Sequence, residues 1–225
     1  MTKRVTIIDY GVGNLRSVAR AFEHVGADVD VTFDAKSITN AERLVLPGVG
    51  AFGHCMEELE KRKLIEPIKE FAAGDRPFLG ICVGMQLMLE YGEEFGEHKG
   101  LGFIKGRVQK LSLRAVGEAI QSGSPRFARD DGVKMILPVI GWMPLKKVGR
   151  EWEGTVLSGT KEGSHVYFVH SYGASPEDEN VLLAEYEYDG VRVTAAIARD
   201  NLTGLQFHPE KSGEVGLGML RGFVA

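Results

Sequence analysis

The pentapeptide Gly80-Ile81-Cys82-Val83-Gly84 has the residue types of a nucleophile elbow, with cysteine in the place of serine. Glycines on both sides let the chain turn sharply where a strand passes into a helix. The N–H groups of the helix that follows would favour a thiolate and could also bind an oxyanion. The pattern therefore predicts a Cys82 nucleophile, with a buried structural cysteine as the alternative.

A thiol nucleophile needs a base, and the segment Gln206-Phe207-His208-Pro209-Glu210 offers one. His208 and Glu210 are two positions apart at the end of a predicted strand, so an extended chain directs both to one side. A base with its own orienting acceptor completes a catalytic triad. The alternative is an ordinary loop histidine before a proline.

Segment 47–53, which begins Pro47-Gly48-Val49-Gly50, could supply backbone N–H groups to an oxyanion. Its glycines also spell the G-x-G-x-x-G of a dinucleotide fingerprint. The segment follows a later strand than the first, and Pro47 distorts the turn, so the oxyanion interpretation is favoured. The turn Gly11-Val12-Gly13 lacks a third glycine.

Metal binding has little support, because Cys55 and Cys82 are far apart and the histidines are scattered. Cys55 is expected to be a packed or half-exposed thiol. The net charge of −4 argues against a surface that coats nucleic acid, and 77–89, the longest apolar stretch, is too short to span a bilayer. Asp9 interrupts the first apolar run, so no signal peptide is expected. We expect a soluble, cytoplasmic protein.

The 225 residues are expected to form a single domain, 1–225, of the α/β class. Strands and helices alternate in the first half, which predicts an open, mostly parallel sheet with helices on both faces. The second half predicts short antiparallel strands and a final helix. The predicted strands are 4–9, 29–33, 44–46, 78–81, 102–110, 134–140, 164–169, 181–188, 191–198 and 203–207; the helices are 15–25, 54–73, 84–91 and 213–224; and 111–133 is a surface loop.

Three segments together resemble the class I (triad) glutamine amidotransferases, which have a flavodoxin-like fold. They are Pro47-Gly48-Val49-Gly50, Gly80-Ile81-Cys82-Val83-Gly84-Met85-Gln86 and His208-Pro209-Glu210. Segments 8–15, 169–172 and 206–212 narrow the resemblance to the glutaminase subunits of histidine biosynthesis. The resemblance covers about residues 4–224.

The resemblance implies that Cys82 attacks the side-chain amide of glutamine and forms a glutamyl thioester. His208 would activate the thiol and protonate the leaving ammonia, and Glu210 would orient His208. The backbones of Val49 and Val83 would form the oxyanion hole. The residues implied to hold the amino-acid end of glutamine are Gly50, Gln86, Glu94, Ser171 and Tyr172. No cofactor is expected, since the thiol does the covalent work.

The implied partner is a (β/α)8-barrel cyclase subunit, joined in a heterodimer, that receives the ammonia. In this family the turn at Val49 is thought to need a peptide rearrangement, triggered by the partner, before the glutaminase is active. Asn14, Arg16 and Trp142 are candidates for the docking face. Their alternatives are a helix cap, a solvated charge and a core aromatic, and for Arg16 the solvated charge is favoured.

One segment departs from the family. Pro138-Val139-Ile140-Gly141-Trp142-Met143 stands where Pro-His-x-Gly-Trp-Asn is usual, so two polar positions have become apolar. A sister amidotransferase that serves another synthase, for example in surface-sugar synthesis, is therefore an alternative. A cysteine peptidase or amidase on the same scaffold and a non-catalytic binding module are the others.

Overall fold

The structure is a computed structural model that describes residues 3–111 and 135–225. The strands, in chain order, are β1 Arg4–Ile8, β2 Asp28–Thr32, β3 Leu44–Gly48, β4 Phe78–Cys82, β5 Leu89–Gly92, β6 His98–Lys99, β7 Ile104–Lys110, β8 Val139–Pro144, β9 Lys146–Lys147, β10 His165–His170, β11 Tyr172–Pro176, β12 Leu182–Tyr188, β13 Val191–Arg199 and β14 Leu202–Leu205. The α-helices are α1 Leu15–His24, α2 Ala35–Thr39, α3 Phe52–Lys61, α4 Ile65–Ala72, α5 Val83–Gln86 and α6 Gly213–Val224.

Eight strands form the central sheet in the order β2-β1-β3-β4-β14-β13-β12-β9. The first five are parallel and the last three antiparallel to their neighbours. All five residues of β3 and of β4 are buried, as expected for parallel strands covered on both faces. The predicted α/β class and mixed sheet are thus confirmed.

The strand order reverses direction between β1 and β3, which places the helices on two faces. The crossover from β1 to β2 runs opposite to those from β2 to β3 and from β3 to β4. Right-handed crossovers therefore put α1 on one face and α2, α3 and α4 on the other. In agreement, α1 packs against α6 and α2 packs against α4. Ligands of such sheets bind at the carboxyl ends of the strands.

Two smaller sheets lie outside the central one. Strands β11-β7-β5-β6 form one, and β10 pairs with β8 in the other. The hydrogen bond from the His208 N–H to the Tyr167 carbonyl, 2.9 Å long, ties β10 to the chain that leaves β14. Both smaller sheets therefore contribute residues to the carboxyl edge of the central sheet.

Three predicted elements were wrong in part. The helix predicted over 84–91 ends at Gln86, because Leu89–Gly92 pairs with β6 and β7 instead. The helix predicted over 54–73 is two helices, broken at Lys63 with φ 59°. The strand predicted over 134–140 begins only at Val139. Four short strands, β5, β6, β9 and β11, and helix α2 were not predicted. The predicted loop lies, from residue 112 on, outside the described residues.

Candidate active site

Cys82 lies at the junction of β4 and α5, with no residue between strand and helix. Its φ of 55° and ψ of −114° are strained for a residue with a Cβ, as expected of a nucleophile elbow. The thiol is 3% exposed. A Cβ on Gly84 would lie 1.8 Å from the Leu46 carbonyl oxygen, and one on Gly80 would lie 2.7 Å from the Gly84 oxygen. Glycine at both positions is therefore what allows α5 to pack directly on β3 and β4.

His208 and Glu210 approach the thiol from β14, the parallel neighbour of β4. Nδ1 of His208 donates to Oε1 of Glu210 over 2.8 Å, and Nε2 is left for the Cys82 thiol. The side chain of Glu210 is 1% exposed. Burial alone disfavours the imidazolium, but the interactions with Cys82 and Glu210 outweigh burial and raise the pKa of His208 to about 10. At neutral pH the ring is therefore cationic and carries a proton on Nε2.

Two polar atoms of this pair are buried without a hydrogen-bond partner in the described part of the chain. They are Nε2 of His208 and Oε2 of Glu210. The Ser212 hydroxyl holds the backbone on either side, since it donates to the His208 carbonyl over 2.7 Å and accepts from the Tyr167 N–H over 3.0 Å. A rigidly held ring with one free nitrogen is suited to transferring a proton to or from a bound substrate.

A cleft of about 400 Å³ opens above the thiol. Its lining includes nine residues singled out from the sequence, namely Val49, Gly50, Cys82, Val83, Gln86, Glu94, Ser171, Tyr172 and His208. Glu210 lies behind the histidine, outside the cleft. A larger cavity of about 680 Å³ lies at the opposite edge of the sheet, against Pro77 and Asn201, and is lined by no cysteine or histidine.

The turn after β3 is held by two buried side chains. The Tyr10 hydroxyl donates to the Pro47 carbonyl over 2.9 Å, and the Cys55 thiol donates to the Val49 carbonyl over 3.5 Å. Gly50 follows with φ 92°, in the region that glycine tolerates best. Cys55 was expected to be packed or half-exposed and is fully buried. Burial raises the pKa of its thiol to about 11, so it stays protonated and keeps its donor role.

Side chains expected to bind substrate form the walls of the cleft. Oε2 of Glu94 accepts from the Phe52 N–H over 2.9 Å, at the start of α3. The Gln86 amide donates to the Tyr172 carbonyl over 2.9 Å. Ser171 lies between β10 and β11, and its carbonyl accepts from the Leu111 N–H. The arrangement combines one carboxylate with several backbone and side-chain dipoles, as recognition of a zwitterion requires.

The proposed docking residues lie outside the cleft. Asn14 is the residue before α1 but makes no side-chain cap hydrogen bond there. Trp142 is 50% exposed, and its ring meets that of Tyr167 edge to face at 6.1 Å, so it is not a core aromatic. Arg16 lies exposed in the first turn of α1. Phe95 and Ile140 are also exposed, at 87% and 59%, which adds apolar surface near the cleft.

Two buried groups near the thiol received no role from the sequence. The amide Nε2 of Gln206 lies 3.8 Å from Cys82 Sγ. His170 is 7% exposed; its Nδ1 lies 2.8 Å from the Tyr172 carbonyl and its Nε2 lies 2.8 Å from the Tyr186 hydroxyl. The signal for Gln206 was its spacing, since it precedes His208 by two positions and shares its side of the chain.

Among the residues that the structure describes, no cluster of side chains fits a metal ion. The same residues contain no helix with the length and apolar character needed to cross a membrane.

Comparisons with known proteins agree with this geometry. The model of the family "Glutamine amidotransferase class-I" matches residues 6–224. The chain is 46% identical over 222 residues, 98% of each chain, to imidazole glycerol phosphate synthase subunit HisH 1 of Legionella pneumophila (strain Lens). It is 45% identical over 223 residues to subunit HisH of the same synthase from Geobacter sulfurreducens, covering 99% of this chain and 98% of the relative. Among solved structures, PurLQS from Thermotoga maritima is similar in fold, with a TM-score of 0.70, 20% identity, and coverage of 99% of this chain and 98% of that one.

Proposed function

Since the chain belongs to the class-I glutamine amidotransferase family, we propose that it is the glutaminase subunit of an imidazole glycerol phosphate synthase in histidine biosynthesis. The observation that carries the chemistry is the placement of His208 between Glu210 and the strained Cys82. The observation that carries the pathway is the similarity, over nearly the whole chain, to subunits of that synthase.

In the first half of the reaction, the Cys82 thiolate attacks the side-chain amide carbon of glutamine. The electron pair of the C=O bond moves to oxygen, and the backbone N–H groups of Val49 and Val83 stabilise this oxyanion. The C–N bond then breaks, and the leaving nitrogen takes a proton from Nε2 of His208 and departs as ammonia. The product is a glutamyl thioester on Cys82 and a neutral His208.

In the second half, neutral His208 takes a proton from a water molecule, which attacks the thioester carbon. The C–S bond breaks, its electron pair returns to sulfur, and the new carboxylic acid loses its proton to solvent as glutamate is released. Glu210 accepts the Nδ1 hydrogen throughout, so that Nε2 always faces the reacting atoms. The cycle restores the thiolate and the imidazolium without any cofactor.

The amino-acid end of glutamine is proposed to lie along the wall of the cleft. The Glu94 carboxylate is anchored through one oxygen and attracts the α-ammonium group. The backbones of Gly50, Ser171 and Tyr172 surround the α-carboxylate. Gln86 holds the Tyr172 strand in place through its own hydrogen bond.

We propose that the partner is a (β/α)8-barrel cyclase that forms a heterodimer with this chain and receives the ammonia. The half-exposed Trp142, Asn14 and the exposed apolar residues near the cleft supply its docking face. The two free cysteines suit the reducing conditions of the cytoplasm.

The test is release of glutamate from glutamine, measured for this chain alone and with a purified cyclase subunit from the same source and its nucleotide ligand. Low activity alone and a large rise in the complex are expected. Cys82→Ser should abolish the activity while the chain stays folded and still binds the cyclase. Cys55→Ser is the matched control, because this residue lies outside the cleft and a serine hydroxyl keeps a donor for the Val49 carbonyl.

Two outcomes would contradict the proposal. Undiminished hydrolysis by Cys82→Ser would exclude the thioester mechanism. A high rate without partner, or no response to that cyclase, would keep the amidotransferase chemistry but move the chain to another synthase.

A further inference from the structure

Gln206 occupies a position from which it reaches the nucleophile directly. The chain leaving β14 continues parallel to β4, where Leu205 is the register partner of Ile81, so Gln206 stands beside Cys82. Gln206 is completely buried, and its backbone N–H donates to the Ala195 carbonyl over 2.9 Å. Its amide Nε2 lies 3.8 Å from Cys82 Sγ, within the range of an N–H···S hydrogen bond.

The orientation of this amide follows from its neighbours. The Tyr172 carbonyl can only accept, so the Gln86 atom that lies 2.9 Å from it is the NH2 nitrogen. The same nitrogen lies 3.0 Å from the Gln206 side chain, which must present its oxygen there. The Gln206 nitrogen therefore faces the sulfur, and its N–H donates to it.

The Tyr172 carbonyl that sets this orientation is itself held in place. It accepts a second hydrogen bond, from Nδ1 of His170, whose Nε2 accepts from the Tyr186 hydroxyl over 2.8 Å. Burial lowers the pKa of His170 to about 4, so the ring is neutral at physiological pH and both nitrogens keep these roles. Donor and acceptor roles are thus assigned in a row of six hydrogen-bonded groups, namely the Cys82 thiol, the Gln206 amide, the Gln86 amide, the Tyr172 carbonyl, the His170 ring and the Tyr186 hydroxyl.

We propose that Gln206 is a catalytic residue whose amide N–H stabilises the negative charge on Cys82 sulfur. The His208 ring is another side chain that interacts with this sulfur. In the proposed deacylation step the C–S bond breaks and its electron pair goes to sulfur, where the Gln206 N–H meets the developing charge. No proton moves to or from Gln206. The inference rests on the proposed glutaminase function for its kinetic part alone.

The residues of this row have two different roles. Gln206 contacts the reacting sulfur, whereas Gln86, His170 and Tyr186 act through Gln206 and are positioning residues. A substitution that removes the donor but keeps the acceptor should therefore affect the thiol and leave Gln86 in place.

Gln206→Glu removes the donor to the sulfur and keeps the acceptor for Gln86, because glutamate has the same shape, offers an oxygen and lacks the amide N–H. Gln206→Met, which lacks both, is the second variant. Gln109→Met is the matched control, since the Gln109 amide donates to Glu93, just after β5, and not to the Cys82 thiol. The full chain is treated with iodoacetamide across a range of pH, and modification of the Cys82 peptide is followed by mass spectrometry. The cyclase complex is then assayed for glutamate release.

Both Gln206 variants should show an alkylation midpoint about one pH unit higher than the wild type, and below the wild-type midpoint they should therefore be alkylated about tenfold more slowly. They should lose at least about tenfold in kcat, while the KM for glutamine of Gln206→Glu changes less than about threefold. Gln109→Met should match the wild type in each measurement.

Unchanged alkylation in Gln206→Glu would overturn the proposal. So would a defect confined to Gln206→Met and to KM, because that result assigns Gln206 the purely structural task of holding Gln86. The alkylation readout needs neither glutamine nor the cyclase. It therefore tests the Gln206 contact even if the wild-type complex proves to release no glutamate, a result that would refute the proposed function instead.

Discussion

The close approach of α5 to β3 leads to a quantitative prediction for Gly84→Ala. The added Cβ would lie 1.8 Å from the Leu46 carbonyl oxygen and 2.8 Å from its carbon. A carbon and a carbonyl oxygen normally stay about 3.3 Å apart, so the helix and strand must separate by about 1.5 Å. Both clashing groups are backbone, and Leu46 is paired with Gly80 in the sheet, so no side-chain rotation relieves the contact.

Overpacking of this kind costs about 3 kcal/mol, the upper end of its usual range. For a chain of this size each kcal/mol lowers the melting temperature by about 2–4 °C, which predicts a fall of about 6–12 °C. The measurement is thermal unfolding followed by circular dichroism, together with glutamate release in the cyclase complex. Activity should fall as well, because a displaced α5 carries the Val83 N–H away from the substrate.

Gly218→Ala is the matched control, since Gly218 also lies in a helix but a Cβ there meets nothing within 4 Å. Alanine is favoured over glycine in a helix by up to about 1 kcal/mol, so this variant should melt about 2–4 °C higher than the wild type. A Gly84→Ala protein that melts at or above the wild-type temperature, beside a normal control, would refute the packing argument.

Three further predictions concern single side chains. Glu210→Gln should lower kcat for glutamine by about tenfold if only charge assistance to His208 is lost, and by up to about 10⁴-fold if the ring takes the wrong tautomer; steady-state kinetics of the complex decide, and an unchanged kcat contradicts the triad. His170 has a folded pKa of about 4, below its usual 6.5, because it is buried. The unfolded chain therefore binds the extra proton, and stability should fall as the pH drops from about 6.5 to 4, by about 1.4 kcal/mol per unit. Urea unfolding should show this loss of unfolding free energy at low pH in the wild type and not in His170→Gln. An equal dependence of the unfolding free energy on pH in the two proteins would refute the prediction. Trp142→Ala should weaken the cyclase complex by about tenfold or more in calorimetric titration, with Cys82 alkylation unchanged; equal affinity would remove Trp142 from the docking face.

Local patterns predicted the centre of the parallel half of the sheet because β1, β3 and β4 are short, mostly apolar runs that end in a turn. The helix over 84–91 failed for a tertiary reason. Its residues have the apolar spacing of a helix, but Leu89 pairs with Ile104 of β7, a partner that local periodicity does not reveal. The break at Lys63 was equally hidden, because a positive φ at lysine has no local sequence signature.

The residues of the candidate site also differ in whether local sequence can predict them. The close placement of Cys82, His208 and Glu210 could be predicted because each belongs to a short segment with a chemical reason for its spacing. The contacts of Gln206 and His170 could not, since an amide or an imidazole reveals its role only through its partners. The partner of Gln206 is 124 positions away. That distance is bridged by the insertion of β14 between β4 and β13, which is a property of the whole fold.

The place of β14 in the sheet also has a consequence for synthesis on the ribosome. Strand β4, which ends at Cys82, is made long before β14, which leads to His208. Until β14 is present, β4 is an unpaired, wholly apolar edge of the sheet. Such an edge invites pairing with other chains, and the late, long-range closure makes folding slow. Before residues 202–205 have been made, β4 is therefore an edge of this sheet that is open to aggregation. Cys82 therefore acquires its imidazole and carboxylate neighbours in the same event that closes this edge of the sheet, when β14 pairs with β4.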